Sequence, residues 1–246
     1  NASGITDRII TLAKVMTGWI TGGLAQVAIV VSALMGGVSG SAVADAAMEA
    51  RILGPALLKQ GFSRGFTSAV IAVGSLITAT IPPSIGLIIY GYIADVSVGR
   101  LFVGGIVPGL MLAASLMAVT FFLSRHRGYL PVRSHFAGGA QLARTFVDAL
   151  WALSIPVFII VGIRYGIFTP TEAGAITVLY TILVGKFAYR NLRLRDLPLL
   201  LKETALDTSS VMIMICAASA FGFYLAWERI PPQLAGWLVS LTSDPT

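Results

Sequence analysis

The chain has 246 residues, of which 56% are hydrophobic and 11% are charged, and its mean hydropathy is +0.85. Ordinary soluble domains carry about 25% charged residues, so this composition excludes an ordinary soluble protein and predicts one embedded in a lipid bilayer. A net charge of +6 would suggest nucleic-acid binding in a soluble domain. Here the Lys and Arg residues gather between apolar runs, where the positive-inside rule accounts for them, and no nucleic-acid partner is expected.

The first uncharged run, 15–44, is too long for one straight helix across the membrane. A helix of that length measures about 45 Å, whereas the hydrocarbon core is about 30 Å thick. Glycines at positions 36, 37 and 40 divide the run, and basic residues flank it on both sides. The positive-inside rule then places both ends on one face. The sequence therefore predicts a short interfacial helix over 1–14, followed by a re-entrant helical hairpin over 15–60 with its tip at 36–45.

The second long run contains a pair of prolines in its middle. Pro82 and Pro83 lack backbone N–H groups and clash with the preceding turn, so an α-helix cannot pass through them undisturbed. The sequence predicts a discontinuous transmembrane helix over 65–95, broken at 81–84. Carbonyls before the break and amides after it need partners.

The rest of the chain predicts further membrane spans joined by charged loops. In chain order the predicted segments are a transmembrane helix at 101–124, a cytoplasmic loop and connector at 125–148, two transmembrane helices within 149–190, an amphipathic connector at 191–207, and the start of a second repeat at 208–246. The Lys and Arg distribution predicts cytoplasmic segments at 125–144 and 186–202 and periplasmic segments at 95–100, 165–171 and 228–232. Thr169, Pro170 and Glu172 predict a capping box at the start of a helix.

Two breaks at similar depth predict a transport site. Unwound membrane helices supply oxygen ligands for hard cations such as Na⁺, and new helix N-termini near Ser41 and Ser84 favour anions. The predicted ion- and substrate-binding residues are Ser39, Gly40, Ser41, Asp45, Thr78, Thr80, Pro82, Pro83 and Ser84. Among them, Ser39, Ser41 and Thr80 are predicted to contact Na⁺.

Each of these features also has a simpler interpretation. Glycine and serine commonly serve close helix packing in membranes, and a proline pair can be a structural kink. Asp45 could cap the second hairpin arm or pair with Arg51. An intramembrane carboxylate is nevertheless a functional candidate by default, and the combination favours a transport site.

Several separated motifs resemble one membrane-protein family. The segments GGVSGSAVADA, IPPSIGLIIYG, LFVGGIVPGL and FTPTEAGAITVLY, in this order, are similar to the large membrane subunit (DctM type) of TRAP (tripartite ATP-independent periplasmic) transporters. The resemblance covers nearly the whole chain, which would correspond to the middle of such a subunit. It departs at 48–51, Met-Glu-Ala-Arg, where the family more often has small apolar residues.

The resemblance implies an all-α polytopic membrane protein with an elevator-type transporter fold. It implies Na⁺-coupled secondary-active import of organic anions, of the carboxylate or sialic acid type, in a bacterial or archaeal inner membrane, with no cofactor besides Na⁺ as the coupling ion. The implied partners are a small membrane subunit (DctQ type) and a periplasmic substrate-binding protein (DctP type). Ser39, Gly40, Ser41 and Asp45 match the hairpin motif, and 82–84 match the helix break.

Three alternatives remain open from the sequence. One is another ion-coupled anion transporter of the same superfamily. Another is an intramembrane lipid-modifying enzyme, which would need a catalytic pair, although Asp45 has no His or second acid at hand. A structural membrane scaffold is the third, but it has no need of two helix breaks with oxygen ligands.

Overall fold

The computed structural model describes residues 4–135 and 137–241, and every regular element in them is helical. The helices are α1 (Ile5–Thr17), α2 (Gly23–Ser39), α3 (Ala42–Ile52), α4 (Gly54–Lys59), α5 (Arg64–Thr80), α6 (Ile85–Ile93), α7 (Val98–His126), α8 (Gly139–Arg164), α9 (Pro170–Leu183), α10 (Leu197–Trp227) and α11 (Ile230–Leu241). A π-helical turn, Val184–Ala188, extends α9, and a 3-10 turn, Leu194–Asp196, precedes α10.

Several of these helices are long and apolar enough to cross a membrane. By length and composition they are α7, α8, α9 with its π-helical turn, and α10, which makes 4 in the part of the chain that the structure describes. The bent pair of α5 and α6 makes a fifth if it counts as one span. The prediction of an all-α polytopic membrane protein is therefore confirmed.

The chain forms two compact units, residues 1–192 and 193–246. In the second unit, residues 197–207 of the predicted connector continue into the following span as one helix, α10, of 31 residues. No Gly or Pro occurs between Pro198 and Gly222, so nothing in the backbone separates the two segments. Helix α11 follows after a short turn, and residues 242–246 of the predicted second repeat lie outside the described residues.

In the first unit, α1 lies in the apolar core. It packs against α2 and α8, and Ile9, Leu12 and Ala13 are buried. The sequence predicted a short interfacial helix at 1–14. The structure instead shows a helix that begins at Ile5, continues to Thr17 and buries its apolar face, while residues 1–3 lie outside the described range.

The two predicted breaks occur at the same depth of the first unit. Helices α2 and α5 each have 17 residues, so each is about 25 Å long. Both begin beside the loop after α7, where Val132 N–H donates to Gly18 O (2.8 Å) and Ser63 N–H donates to the Tyr129 hydroxyl (3.2 Å). They therefore start at the same end and stop at the same level. Both hairpin arms, α2 and α3, pack against α5.

The hairpin tip is narrower than the sequence predicted. Only Gly40 and Ser41 separate α2 from α3, whereas Gly36 and Gly37 lie within α2. These two glycines permit close packing. A Cβ on Gly36 would lie 3.0 Å from the Cα of Thr78, and a Cβ on Gly37 would lie 2.8 Å from a side-chain carbon of Pro156. The tip predicted at 36–45 is thus a two-residue turn between helices.

The charge distribution gives a testable orientation for this arrangement. A single cysteine introduced by Arg133→Cys, in a Cys216→Ser background, is expected to react with a membrane-impermeant maleimide only after the cells are permeabilised. The matched control, Tyr165→Cys, lies in a predicted periplasmic turn, is 78% exposed, and should react in intact cells. Labelling of position 133 from outside intact cells would overturn the predicted orientation.

Candidate functional site

The hairpin tip and the helix break are in direct backbone contact. Ile85 N–H, in the first turn of α6, donates to the carbonyl of Gly40 at 3.1 Å. Gly40 has a φ of +62°, and a Cβ there would lie 2.5 Å from the carbonyl oxygen of Pro83. The turn therefore requires glycine for two independent reasons, backbone conformation and close approach. The two breaks form one site.

The break between α5 and α6 satisfies part of its own freed backbone. The two helices are bent by 47°, with Pro82 and Pro83 between them. Ser84 Oγ donates to the carbonyl of Ala79 at 2.7 Å, which gives that carbonyl a partner in place of a helical N–H. On the other side, a Cβ on Gly105 of α7 would come 2.7 Å from the Thr80 carbonyl oxygen, so α7 packs tightly on the break.

Asp45 joins the two breaks through its side chain. It is 2% exposed. Ser39 Oγ donates to Asp45 Oδ1 at 2.8 Å, and Thr78 Oγ1 donates to Asp45 Oδ2 at 2.8 Å. Because Ser39, Asp45 and Thr78 belong to α2, α3 and α5, this carboxyl group connects both hairpin arms to the broken helix. Arg51, the alternative partner considered from the sequence, is exposed on α3.

The remaining predicted residues are divided between the site and its surroundings. Ser41 is the N-cap of α3, and its Oγ accepts a hydrogen bond from Ala44 N–H at 3.3 Å. Thr80 is half-buried, and its hydroxyl donates to Leu76 O of its own helix at 2.9 Å. The structure therefore brings together every predicted residue except the Thr80 side chain.

A small cavity of about 160 Å³ opens beside the two breaks. Its walls come from the hairpin tip, the helix break, and helices α7, α8 and α9, through residues that include Ser39, Gly40, Pro83, Ser84, Phe102, Ile159, Pro170 and Thr177. The wall contributed by α9 is fixed by the predicted capping box, which is confirmed. Thr169 N–H donates to Glu172 Oε2 at 2.8 Å, and Glu172 N–H donates to Thr169 Oγ1 at 3.3 Å.

This arrangement presents groups of the types that bind cations and anions in proteins. Hydroxyl and carbonyl oxygens at the tip are the ligand type that hard cations prefer. The start of α6 presents backbone amides and the positive end of a helix dipole toward Ser84, which lines the cavity. Drug-sized pockets measure about 300–1,000 Å³, so this cavity is smaller than those that enclose a whole drug-sized ligand.

Sequence reasoning missed one buried residue of this region, Glu49. Its side chain is 0% exposed, and its Oε1 lies 2.7 Å from the hydroxyl of Ser32 on α2. Its second oxygen, Oε2, has no hydrogen-bond partner among the described residues. The available signal was its spacing from Asp45, because residues four apart on a helix share a face.

Comparison with known proteins assigns the chain to a family. The family model described as "Tripartite ATP-independent periplasmic transporter, DctM component" matches residues 1–246. The sialic acid TRAP transporter large permease protein SiaM of Vibrio cholerae is 37% identical, over 100% of this chain and 57% of its own length. The 2,3-diketo-L-gulonate TRAP transporter large permease protein YiaN of Escherichia coli is 36% identical, again over 100% and 57%.

A third relative is named for a different substrate. The C4-dicarboxylate TRAP transporter large permease protein DctM of Rhodobacter capsulatus is 36% identical, over 96% of this chain and 57% of its own length. The chain thus spans little more than half the length of these curated relatives, all of which are named as transporter permeases rather than enzymes. The chain therefore belongs to the DctM component family of the tripartite ATP-independent periplasmic transporters.

Proposed function

We propose that this chain forms part of a Na⁺-coupled, secondary-active importer of organic anions. Together, the hairpin and the broken helix form part of a mobile transport domain of the elevator type. A ligand shifts the equilibrium between two conformations only if it binds one of them more tightly. Na⁺ and the anion are therefore coupled if both bind the same closed arrangement of the hairpin and the broken helix more tightly than the open one.

The observation that carries this proposal is the contact between the two breaks. The hydrogen bond from Ile85 N–H to Gly40 O, the shared carboxyl of Asp45 and the adjoining cavity place irregular backbone from two segments at one point. Irregular backbone at membrane depth persists where it is buried in protein or lines a cavity. In secondary transporters, such paired breaks hold the coupling ion and the substrate.

An organic acid fits the substrate side of this site. The amides at the start of α6 favour an anion, and no acidic residue between 65 and 94 opposes its charge. The relatives are named for sialic acid, a diketogulonate and C4-dicarboxylates, all of which are organic acids. We include a small membrane subunit and a periplasmic binding protein as partners, and the inner membrane as location, because the relatives are large permease components of periplasmic transporters.

Reconstituted transport tests the proposal. The full-length subunit, with its small subunit and binding protein, is placed in proteoliposomes and given an inward Na⁺ gradient and labelled succinate, N-acetylneuraminate or 2,3-diketogulonate. Uptake of one of these anions is expected, and it should cease when the Na⁺ gradient is collapsed with a Na⁺ ionophore. Uptake that persists without any Na⁺ gradient would contradict Na⁺ coupling.

A matched pair of threonine variants tests the role of Asp45. Thr78→Val removes the hydroxyl that lies within hydrogen-bond distance of Asp45 Oδ2 and of Ser32 O on α2, whereas Thr80→Val removes one that bonds only its own helix. A hydrogen bond to a charged group contributes about 1.5–3 kcal/mol. We therefore expect Thr78→Val to raise the Na⁺ concentration for half-maximal uptake about tenfold, and Thr80→Val to change it less than twofold. The reverse order would make the Thr80 hydroxyl the ion ligand instead.

A further inference from the structure

Glu49 lies in the hairpin, one helical turn beyond Asp45, where it contacts α2 rather than the cavity. Its side chain is fully buried, and its Oε1 is 2.7 Å from the Ser32 hydroxyl. Gly74 of α5 lies against the same hydroxyl, since a Cβ there would come within 3.0 Å of Ser32 Oγ. The carboxyl group is therefore enclosed at the junction of α2, α3 and α5.

The positions of the oxygen atoms around Ser32 accommodate a hydrogen on Glu49 Oε1. Ser32 Oγ is within hydrogen-bond distance of two groups, Glu49 Oε1 at 2.7 Å and Ala28 O at 3.2 Å. A serine hydroxyl has one hydrogen, and both neighbours are acceptors when Glu49 is ionised. If Glu49 carries a proton on Oε1, it donates to Ser32 Oγ and Ser32 donates to Ala28 O. Every atom in the line then has a hydrogen bond.

Asp45 provides an internal comparison. Each of its oxygens lies 2.8 Å from a hydroxyl group, that of Ser39 or that of Thr78, and the Thr78 hydroxyl is also 3.0 Å from Ser32 O. By contrast, Glu49 Oε2 has no partner in the described part of the chain. Burying an ionised carboxylate without full hydrogen bonding costs far more free energy than burying a neutral acid. The surroundings of Glu49 therefore favour the protonated acid more strongly than those of Asp45.

No cation among the described residues faces Glu49. Helices α2, α4 and α5 pack against α3. No residue of α2 is charged, and the cationic residues of the other three, Lys59, Arg64 and Arg51, are exposed. Asp45 is the only other charged group on the buried side of α3, and its negative charge disfavours a second one nearby.

We propose that Glu49 is a proton-binding site built into the hairpin. The packed hairpin holds one proton on Glu49 Oε1, shared with Ser32. Separation of α3 from α2 brings the carboxyl group into contact with water, to which it releases that proton, and repacking takes a proton back from water. No other bond forms or breaks. Resting on the proposed transport function, the further consequence is that hairpin movement and proton uptake are coupled.

Infrared spectroscopy of the purified full-length protein tests the proton directly. At pH 7 the parent protein should show a carboxylic-acid C=O band that shifts in D₂O, and Glu49→Gln should lack it. Asp45→Asn and the exposed-glutamate control Glu203→Gln should both retain it. A band that disappears in Asp45→Asn but persists in Glu49→Gln would overturn the assignment, as would the absence of any such band in the parent.

Thermal unfolding as a function of pH provides the second measurement. If the folded protein holds a proton that the unfolded carboxyl gives up at neutral pH, folding takes up a proton, so stability must fall as pH rises. The unfolding equilibrium constant is expected to increase up to tenfold per pH unit. Glu49→Gln should flatten this dependence by that amount, because its amide keeps the shape and donates to Ser32. Identical slopes in parent and variant would refute the site.

A further variant guards against a folding defect in Glu49→Gln. Ser32→Ala keeps the carboxyl group but removes the acceptor of its proton, so the infrared band should remain and move to higher frequency. An unshifted band would overturn the pairing of Glu49 with Ser32. A Glu49 band without Na⁺-driven uptake would overturn the proposed function alone, whereas uptake without the band would overturn the proton site alone.

Discussion

Replacing Gly40 with alanine is expected to reduce Na⁺-driven uptake by about tenfold or more, which corresponds to at least ~1.4 kcal/mol. An alanine at this position would have to keep a φ of +62° and place its Cβ 2.5 Å from the carbonyl oxygen of Pro83. Two backbones cannot approach that closely with a methyl group between them. The tip must move away from the break, and the hydrogen bond from Ile85 N–H is lost.

Gly166 offers a matched control for this substitution. It has a similar φ of +69°, but a Cβ there would meet nothing within 4 Å. Gly166→Ala therefore carries the same backbone penalty, about 1–2 kcal/mol, without the collision. We expect it to lower the thermal stability while uptake per folded molecule stays near the parent value. Equal uptake by the two variants would show that the contact between tip and break is dispensable.

Replacing Pro82 and Pro83 together with alanine is expected to abolish uptake while the protein still inserts and folds. Alanine is favoured over proline by about 3 kcal/mol in a helix interior, so residues 81–84 would extend α5 toward α6. Carbonyls now free at the break would be recaptured by helical N–H groups. The 47° bend would open, and α6 would leave the hairpin tip. Uptake in proteoliposomes, normalised to folded protein, measures the effect.

Pro55 provides the proline control, because it lies in the first turn of α4, is exposed, and does not line the cavity. Pro55→Ala should leave uptake within about twofold of the parent, since the first turn of a helix accommodates either residue. Full uptake by a well-folded Pro82→Ala, Pro83→Ala protein would make the break a structural kink, with the ion site elsewhere.

The two breaks could be predicted from the sequence because backbone chemistry alone enforces them. Pro82 and Pro83 remove donors, and a helix cannot continue through them. Gly40 was one of several glycines, and the sequence did not distinguish it from Gly36 and Gly37. The distinction depends on tertiary contacts. Gly40 meets the backbone of Pro83 from a turn, whereas Gly36 and Gly37 pack against neighbouring helices from within α2.

Side-chain direction was the least predictable part of the site. Thr78 and Thr80 lie two residues apart on one helix and therefore point to different faces, and the sequence predicts Thr80 rather than Thr78 as a Na⁺ contact. The structure turns Thr78 toward Asp45 and leaves Thr80 bonded to Leu76 O. Glu49 is hard to identify for a related reason, because only tertiary packing against α2 and α5 shows that this charged side chain is buried.

The equal lengths of α2 and α5 have an electrical consequence. Each helix of 17 residues is about 25 Å long, and α6, with 9 residues, adds at most about 14 Å. A cation held where α5 and α6 meet lies about two thirds of the way along the combined length of these two helices, measured from the start of α5. Moving one elementary charge across a whole membrane changes its electrical energy by about 2.3 kcal/mol per 100 mV. Entry from the α6 end covers only the last third of that distance, so it changes the energy by less than about 1 kcal/mol per 100 mV. Loading from that end should depend weakly on voltage, and the subsequent inward passage should carry most of the charge movement.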